Sequence, residues 1–190
     1  MIPTKKSKKI EILQKDCPIL REISKPISLK DIDSKEIKGV ILNLQKAIDS
    51  QADAVAISAI QIGKPIRLFV ISKRIFSITE DLNKEEKESL KDLIIINPKI
   101  IKSSKDKQLI EEGCLSVRYI YGKVSRSSKV TLEYTDENGK KITRGFSGLF
   151  AQVVQHENDH LDGILFIDKA VDLQEISKED YKKGLAELKD

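Results

Sequence analysis

The sequence predicts an α+β fold, in which antiparallel sheets pack around a central helix and a further helix lies at the C-terminus. Three segments carry this prediction. Residues 130–142 alternate between apolar and polar side chains, residues 149–162 form a helical pattern that is apolar on more than one face, and residues 177–190 form a charged amphipathic pattern. A helix that is apolar on several faces has to be covered on several sides, so we place the second segment inside the domain.

Length and composition favour a single domain. The chain has 190 residues, of which 39% are hydrophobic and 34% are charged, so a core can form under a charged surface. We expect residues 1–190 to form one domain. The lysine-rich residues 1–9 have little to bury, and we expect them to be flexible.

Charge and hydropathy exclude several classes of partner. The net charge of +4 is small and interspersed, which argues against a specific nucleic-acid partner. No run approaches the ~20 apolar residues that cross a bilayer, so we expect no membrane partner and a cytoplasmic location. The two cysteines, Cys17 and Cys114, are too few for a disulfide framework and fit a reducing compartment.

The first half of the chain contains one predicted helix. Residues 10–13 predict a short strand. Asp33 followed by Glu36 resembles a capping box, and apolar residues then recur at helical spacing from Ile37 to Ile48. This spacing predicts an amphipathic helix that covers the core.

Two β-branched segments follow that helix. Residues 67–71 and 93–97 predict strands, the second ended by the Asn97-Pro98 dipeptide. The charged residues 80–92 between them predict a surface loop or short helix.

The second half contains the clearest hairpin. Val130, Leu132 and Tyr134 alternate with polar residues, and Asn138-Gly139 supplies a tight turn before Ile142 resumes the pattern. The interior helix of residues 149–162 follows and is expected to end at Gly163.

That interior helix carries His156-Glu157-Asn158-Asp159-His160, and the chain has no other histidine. Histidines four residues apart lie on one helical face, so both rings can reach a single metal ion while Glu157 handles a proton. A catalytic site normally uses three protein ligands and leaves a fourth position for water.

The third ligand is open to several interpretations. Phe166 stands where one protease class has a third histidine, and it cannot bind metal. A zinc endopeptidase would use a downstream glutamate, either Glu175 or Glu179. Cys114, which follows Gly113 and precedes the hairpin, is the better candidate.

At these residues the sequence resembles the peptide deformylase family. The family motif E-G-C-L-S stands at residues 112–116, and Q-H-E-x-D-H-L stands at residues 155–161. Supporting matches extend over roughly residues 10–172 and include Gln61-Ile62-Gly63, Ile96-Asn97-Pro98, Arg126 and Gly163-Ile164-Leu165-Phe166.

The resemblance implies a metal-dependent amide hydrolase that removes the formyl group from N-formylmethionyl nascent polypeptides and releases formate. It implies that Cys114, His156 and His160 bind one divalent ion per chain. Family members commonly use Fe²⁺, and Zn²⁺, Ni²⁺ or Co²⁺ can take its place.

The same resemblance assigns the catalytic roles. Glu157 carries the proton, as a general base and then as a general acid. The Gln61 side chain and the Leu115 backbone N–H donate hydrogen bonds to the formyl oxygen.

The resemblance also implies a substrate groove lined by Ala56, Ile57 and Gly113. Leu149 and Val153 precede His156 on the same helical face, so they are candidates for the wall of a methionine pocket, although an ordinary core role fits them equally well.

Five residues depart from the family pattern. Ala54 and Ala56 replace glycines and Ser58 replaces an alanine in the groove motif, while Arg118 and Tyr119 stand where proline and glycine are usual. These changes leave open a deformylase-like metallohydrolase with altered or weak substrate specificity.

Two further interpretations concern activity and partners. One alternative is that the protein is not an enzyme. It would then be a binding module that keeps the metal ion only for structure. The nascent-chain substrate makes the ribosome a candidate partner, contacted through Lys182 and Lys183.

Overall fold

The structure is a computed structural model, and it describes residues 10–79 and 89–187. Its strands are β1 (Ala56–Ser58), β2 (Leu68–Ile71), β3 (Leu93–Ser103), β4 (Lys107–Cys114), β5 (Val117–Ser127), β6 (Lys129–Thr135), β7 (Lys141–Ser147) and β8 (Val171–Glu175). Its helices are α1 (Lys35–Asp49), α2 (Arg74–Thr79), α3 (Gly148–Leu161) and α4 (Lys178–Glu187). Short 3₁₀ turns lie at Pro18–Arg21, Leu29–Asp31, Ala59–Ile62 and Phe166–Asp168.

The strands form two antiparallel sheets. One has five strands in the order β1-β2-β3-β6-β7, and the other has three in the order β4-β5-β8. Helix α3 contacts strands of both sheets, and α1 packs against β1 and β2. The predicted α+β fold, with antiparallel sheets around a central helix and a helix near the C-terminus, is confirmed.

Helix α1 presents one apolar face to the core. Ile37, Val40, Leu44 and Ile48 are buried along it, as the helical spacing predicts. The capping prediction was wrong by one residue, because the Ser34 hydroxyl, and not Asp33, accepts a hydrogen bond from the N–H of Ile37.

The predicted strand of residues 93–97 is longer than the sequence suggests. Strand β3 continues through Asn97-Pro98 to Ser103, with a shift of register between Ile96 and Lys99. Proline is tolerated at such a bulge because the ladder of hydrogen bonds is already interrupted there. The Asn97 side chain exchanges hydrogen bonds of 2.8 and 2.7 Å with the backbone of Ile27.

The predicted hairpin and interior helix are present. Strands β6 and β7 pair with Tyr134 opposite Ile142, and Gly139 takes a positive φ of 80° in the turn. Helix α3 begins one residue before the predicted start and ends at Leu161, with Gly163 at φ 73° just beyond it. Helix α4 lies within predicted residues 177–190.

One strand prediction was wrong, and two predictions fall on residues that the structure does not describe or describes only in part. Residues 10–13 form no strand, and there Leu13 donates a hydrogen bond of 2.8 Å to the Gln61 carbonyl. Residues 1–9, and most of the predicted excursion at 80–92, lie outside the described residues. Within the described part of the chain, no helix has both the length and the apolar character to cross a bilayer.

Candidate active site

Helix α3 brings both histidines to one place. The ring centroids of His156 and His160 lie 4.9 Å apart, and the two ring planes are inclined by 78°. Both residues stand in the last two turns of the helix, with His160 1% exposed. Their common face follows directly from the four-residue spacing.

Cys114 reaches these histidines from the end of β4. The β4–β5 pairing is regular until Gly113 opposite Tyr121 and then shifts, so that Cys114 lies opposite Val117 across a tight turn. The Cys114 Sγ lies 3.2 Å from the Nε2 of His160. The ligand atoms of Cys114, His156 and His160 all lie within 4.8 Å of one another.

This donor set fits a metal ion. One thiol and two imidazoles leave a fourth position free, which is the arrangement of catalytic sites built on three protein ligands. The Ser116 N–H lies 3.4 Å and the Gln61 Nε2 lies 3.6 Å from the Cys114 Sγ, so both groups are hydrogen-bond donors to the sulfur. Glu175 and Glu179 lie outside this cluster and are exposed.

A buried chain of charges orients His156. Its Nδ1 lies 2.9 Å from Oε2 of Glu112, so its Nε2 is the atom left for a metal ion. Arg126 donates two hydrogen bonds to Glu112, of 2.7 and 2.9 Å, and a third of 2.6 Å to Asp159. Lys169 approaches the other oxygen of Asp159 at 2.6 Å.

The pKa values of this cluster respond to burial and to these partners. Burial favours a neutral Glu112, but the hydrogen bonds from Arg126 and His156 outweigh it and lower the pKa of Glu112 from 4.5 to about 2. Burial also favours a neutral His156, yet contacts with Cys114 and Glu112 raise its pKa well above the ordinary value. Burial and the charge of His156 lower the pKa of His160, and a neutral imidazole can bind metal.

Glu157 lies beside the cluster and lines the cleft, although only 4% of its surface is exposed. The Ser58 hydroxyl donates a hydrogen bond to its Oε2. Burial raises the pKa of Glu157, whereas the charge of His156 and the bond from Ser58 oppose that rise. A raised carboxylate pKa suits a group that accepts and returns a proton.

Gln61 and Leu115 flank the same cluster. Gln61 is 2% exposed, its Oε1 accepts a hydrogen bond of 2.8 Å from the Ser58 N–H, and its Nε2 donates to the Ser116 hydroxyl at 3.0 Å. Leu115 is 7% exposed, and its carbonyl accepts a bond of 3.1 Å from Gln14. Both Gln61 and Leu115 line the cleft.

The cleft has a volume of about 370 Å³. Its walls include Ala56, Gly113, Leu149 and Val153, four of the five predicted substrate residues. The side chain of Ile57 does not line it, because alternation along β1 turns that side chain into the core against α1. For Ile57, therefore, only the backbone can take part in a groove.

Arg118 forms a cluster at the edge of the cleft that sequence reasoning did not predict. It pairs with Asp53 at 3.0 Å and also contacts the hydroxyl of Tyr181 on α4, which donates to Asp53 at 2.7 Å. Neighbouring Tyr119 has a positive φ of 67°. The one signal in the sequence was that Arg118 and Tyr119 stand where the family usually has proline and glycine.

The buried Glu112–Arg126–Asp159 chain was also missed as a functional element. The sequence did contain a signal for it. Arg126 stands in a segment that otherwise favours β-structure, and Glu112 and Asp159 each lie in one of the two family motifs. Arg126 is 3% exposed, and a buried arginine requires carboxylate partners.

Comparison with known proteins identifies the family. The model of the polypeptide deformylase family matches residues 9–175. The chain belongs to this family. A peptide deformylase of Christiangramia forsetii is 38% identical over 173 residues, covering 90% of this chain and 85% of the relative. One from Rhizobium meliloti is 38% identical over 151 residues, covering 80% of this chain and 79% of the relative.

Solved deformylase structures agree with this assignment. The Acinetobacter baumannii enzyme with bound Met-Ala-Ser has a TM-score of 0.73 and 27% identity, covering 86% of this chain and 99% of that one. The Synechococcus elongatus enzyme in complex with actinonin has a TM-score of 0.72 and 30% identity, covering 100% of this chain and 91% of that one. By family, relatives and fold the chain is a peptide deformylase, which is a metal-dependent hydrolase, and the Cys114/His156/His160 cluster is placed to hold a metal ion.

Proposed function

We propose that this cleft removes the formyl group from N-formylmethionyl peptides through a divalent ion held by Cys114, His156 and His160, with Glu157 as the proton carrier. The observation that carries the proposal is the convergence of the three ligand atoms within 4.8 Å, beside a buried carboxylate that lines the cleft. The reaction adds water to the formamide and yields formate and a free amine.

Fe²⁺ is the ion that we propose, because the family commonly uses it. A bound divalent ion supplies a Lewis acid that lowers the pKa of water from 15.7 to about 7. One thiolate and two imidazoles also suit Zn²⁺, Ni²⁺ or Co²⁺, so the donor set alone does not choose the metal. Metal analysis of anaerobically purified protein tests this choice, and a chain that carries only zinc would contradict it.

Two side chains and one backbone N–H handle the charges of the reaction. Glu157 accepts a proton from the attacking water and delivers it to the departing amine, and its raised pKa supports this exchange. The Gln61 amide and the Leu115 backbone N–H donate to the formyl oxygen, and removal of one such donor typically costs ~10²–10³ in rate. The bond from the Ser58 N–H to Oε1 fixes which end of the Gln61 amide faces Cys114.

The peptide has two strand edges available in the cleft. Strand β1 is an edge of the five-stranded sheet and β4 is an edge of the three-stranded sheet. An extended peptide binds by adding to such an edge, so Ala56, Ile57 and Gly113 offer backbone groups to it. Leu149 and Val153 offer an apolar wall for the methionine side chain.

The altered groove motif does not favour the alternative of a weak deformylase-like enzyme. Ala54 and Ala56, which replace glycines, both lack a positive φ and therefore carry no backbone strain. Both residues are buried in core clusters. Alanine is therefore compatible with the backbone conformation at both positions.

Metal content of two cysteine variants tests the ligand assignment. We expect Cys114→Ala to lose nearly all metal, because only two ligands remain, whereas Cys17→Ala serves as the matched control and keeps it. A zinc endopeptidase that uses Glu175 or Glu179 predicts instead that Cys114→Ala retains full metal content.

Formate release from formyl-Met peptides, with metal supplied anaerobically, tests the activity. We expect Glu157→Ala to abolish turnover and to leave metal content unchanged, because the three ligands remain. Retained turnover in this variant would contradict the mechanism. Absence of turnover in the metal-loaded wild type would favour a non-catalytic binding module.

Nascent formylated chains are the proposed substrate, and this substrate favours a cytoplasmic site of action with the ribosome as partner. Lys182 and Lys183 are exposed on α4 and are the proposed contacts. Charge reversal of both lysines is a sharper test than deletion of α4, because Tyr181 on that helix contacts the cleft. Ribosome co-sedimentation should fall in this double variant but not after reversal of Lys140 and Lys141, exposed lysines near the β6–β7 turn.

A further inference from the structure

We infer that the Ser58 hydroxyl is a positioning group for Glu157, holding one carboxylate oxygen so that the other faces the cleft. The inference rests on the proposed role of Glu157 as proton carrier and names the residue that aligns it. Ser58 is not among the residues that line the cleft, so its hydroxyl should influence the rate of the chemical step and not peptide affinity.

The contact joins two distant parts of the chain in a fully buried place. Ser58 is the last residue of β1 and is 0% exposed, whereas Glu157 stands on α3, 99 residues later, and is 4% exposed. Helix α3 packs directly on β1. The two residues are therefore held by the core and not by a mobile loop.

The direction of the hydrogen bond follows from chemistry. An ionised carboxylate only accepts, so the hydroxyl of Ser58 donates. Its possible acceptors are Oε2 of Glu157 and, at 3.3 Å, the backbone carbonyl of the same residue. The carboxylate contact is the shorter of the two, and a charged acceptor makes the stronger bond.

Within residues 10–79 and 89–187, no other side chain holds this carboxylate. Among the described residues, Ser58 is the one side chain that forms a hydrogen bond with the Glu157 carboxylate. The second oxygen, Oε1, is left without a protein donor in that part of the chain, while Glu157 lines the cleft. Proton transfer requires a base oxygen within hydrogen-bond reach of the water, so loss of the anchor should misalign it.

The hydroxyl can be removed without disturbing the other role of this residue. The backbone N–H of Ser58, and not its side chain, donates to Oε1 of Gln61 at 2.8 Å. Ser58→Ala therefore keeps the hydrogen bond from the Ser58 N–H to Gln61 and removes the contacts of the hydroxyl with the carboxylate and the carbonyl of Glu157. Ser58→Thr and Ser58→Val form a second pair of equal shape, in which only threonine retains a hydroxyl.

The experiment measures kcat, KM and metal content with a formyl-Met peptide. We expect kcat of Ser58→Ala to fall by about tenfold or more, as loss of a hydrogen bond to a charged group implies. We expect KM and metal content to remain unchanged, and Ser58→Thr to turn over faster than Ser58→Val. Ser24→Ala is the matched control, because Ser24 is 2% exposed and its Oγ lacks a hydrogen-bond partner among the described residues.

Crystal structures of the wild type and of Ser58→Ala provide a readout that does not depend on activity. Displacement or multiple conformers of Glu157 in the variant support the inference. An unmoved Glu157, or an unchanged kcat at full metal content, would overturn it. If the metal-loaded wild type releases no formate, the proposed function fails, and the crystal structures still decide whether Ser58 positions Glu157.

Discussion

Replacing Arg126 by methionine should destabilise the protein and weaken metal binding together. The Arg126 side chain is 4% exposed, that of Glu112 is 2% exposed, and three charge-assisted hydrogen bonds of 2.6 to 2.9 Å leave the guanidinium. Methionine fills a similar volume but supplies no charge. The substitution leaves Glu112 and Asp159 without this partner in a place that water hardly reaches.

The size of the effect follows from that burial. Breaking a buried ion pair by removing one partner costs about 3–5 kcal/mol, because the other charge is left uncompensated. Since Glu112 also holds His156, loss of its anchor should lower metal affinity by about 10-fold to 100-fold. Arg126→Lys keeps one charge but loses the planar fork, so an intermediate cost is expected.

Urea unfolding of the metal-free protein measures the first effect, and competition with a chelator measures the second. Arg21→Met is the matched control, because the Arg21–Asp168 side chains are 43% and 38% exposed and such a pair contributes about 0–1 kcal/mol. If Arg126→Met unfolded with nearly the same free energy as Arg21→Met, the buried charges would not stabilise the fold as argued.

Two further predictions concern stability. The pKa of Glu112 is lowered from 4.5 to about 2, so its contribution to stability is complete above pH 4.5 and is lost as the pH falls towards 2. Urea unfolding at stepped pH should therefore show a gap between wild type and Glu112→Gln that closes over this interval, and a constant gap would contradict the assignment. Gly163→Ala should cost more than about 1 kcal/mol, because φ is 73° and a Cβ would lie 2.6 Å from the Arg21 carbonyl oxygen. Gly184→Ala on α4 meets nothing within 4 Å and should leave the thermal midpoint unchanged or raise it, so equal losses in both variants would refute the packing argument.

The elements with a strong local pattern were predictable. Helix α1 and the β6–β7 hairpin appear where periodicity and turn residues place them, and α3 is displaced by a single residue. Strands β1, β4, β5 and β8 were not predicted, because β1 has only three residues, β4 and β8 are mostly exposed, and β5 shows no regular alternation of apolar and polar residues. All five residues of β8 are exposed, so pairing with β5, and not burial, defines that strand.

Chemistry that is local in the chain could be predicted from the order of the residues. A spacing of four residues is one helical turn, so it placed His156 and His160 on one face, and the motif supplied Glu157 beside them. The residues that contact this face are set by tertiary packing. Cys114 lies 46 residues from His160 and Ser58 lies 99 residues from Glu157, and such contacts depend on how sheets and helix pack. Periodicity specifies which face of an element is buried, but it carries no information about the partner that covers it.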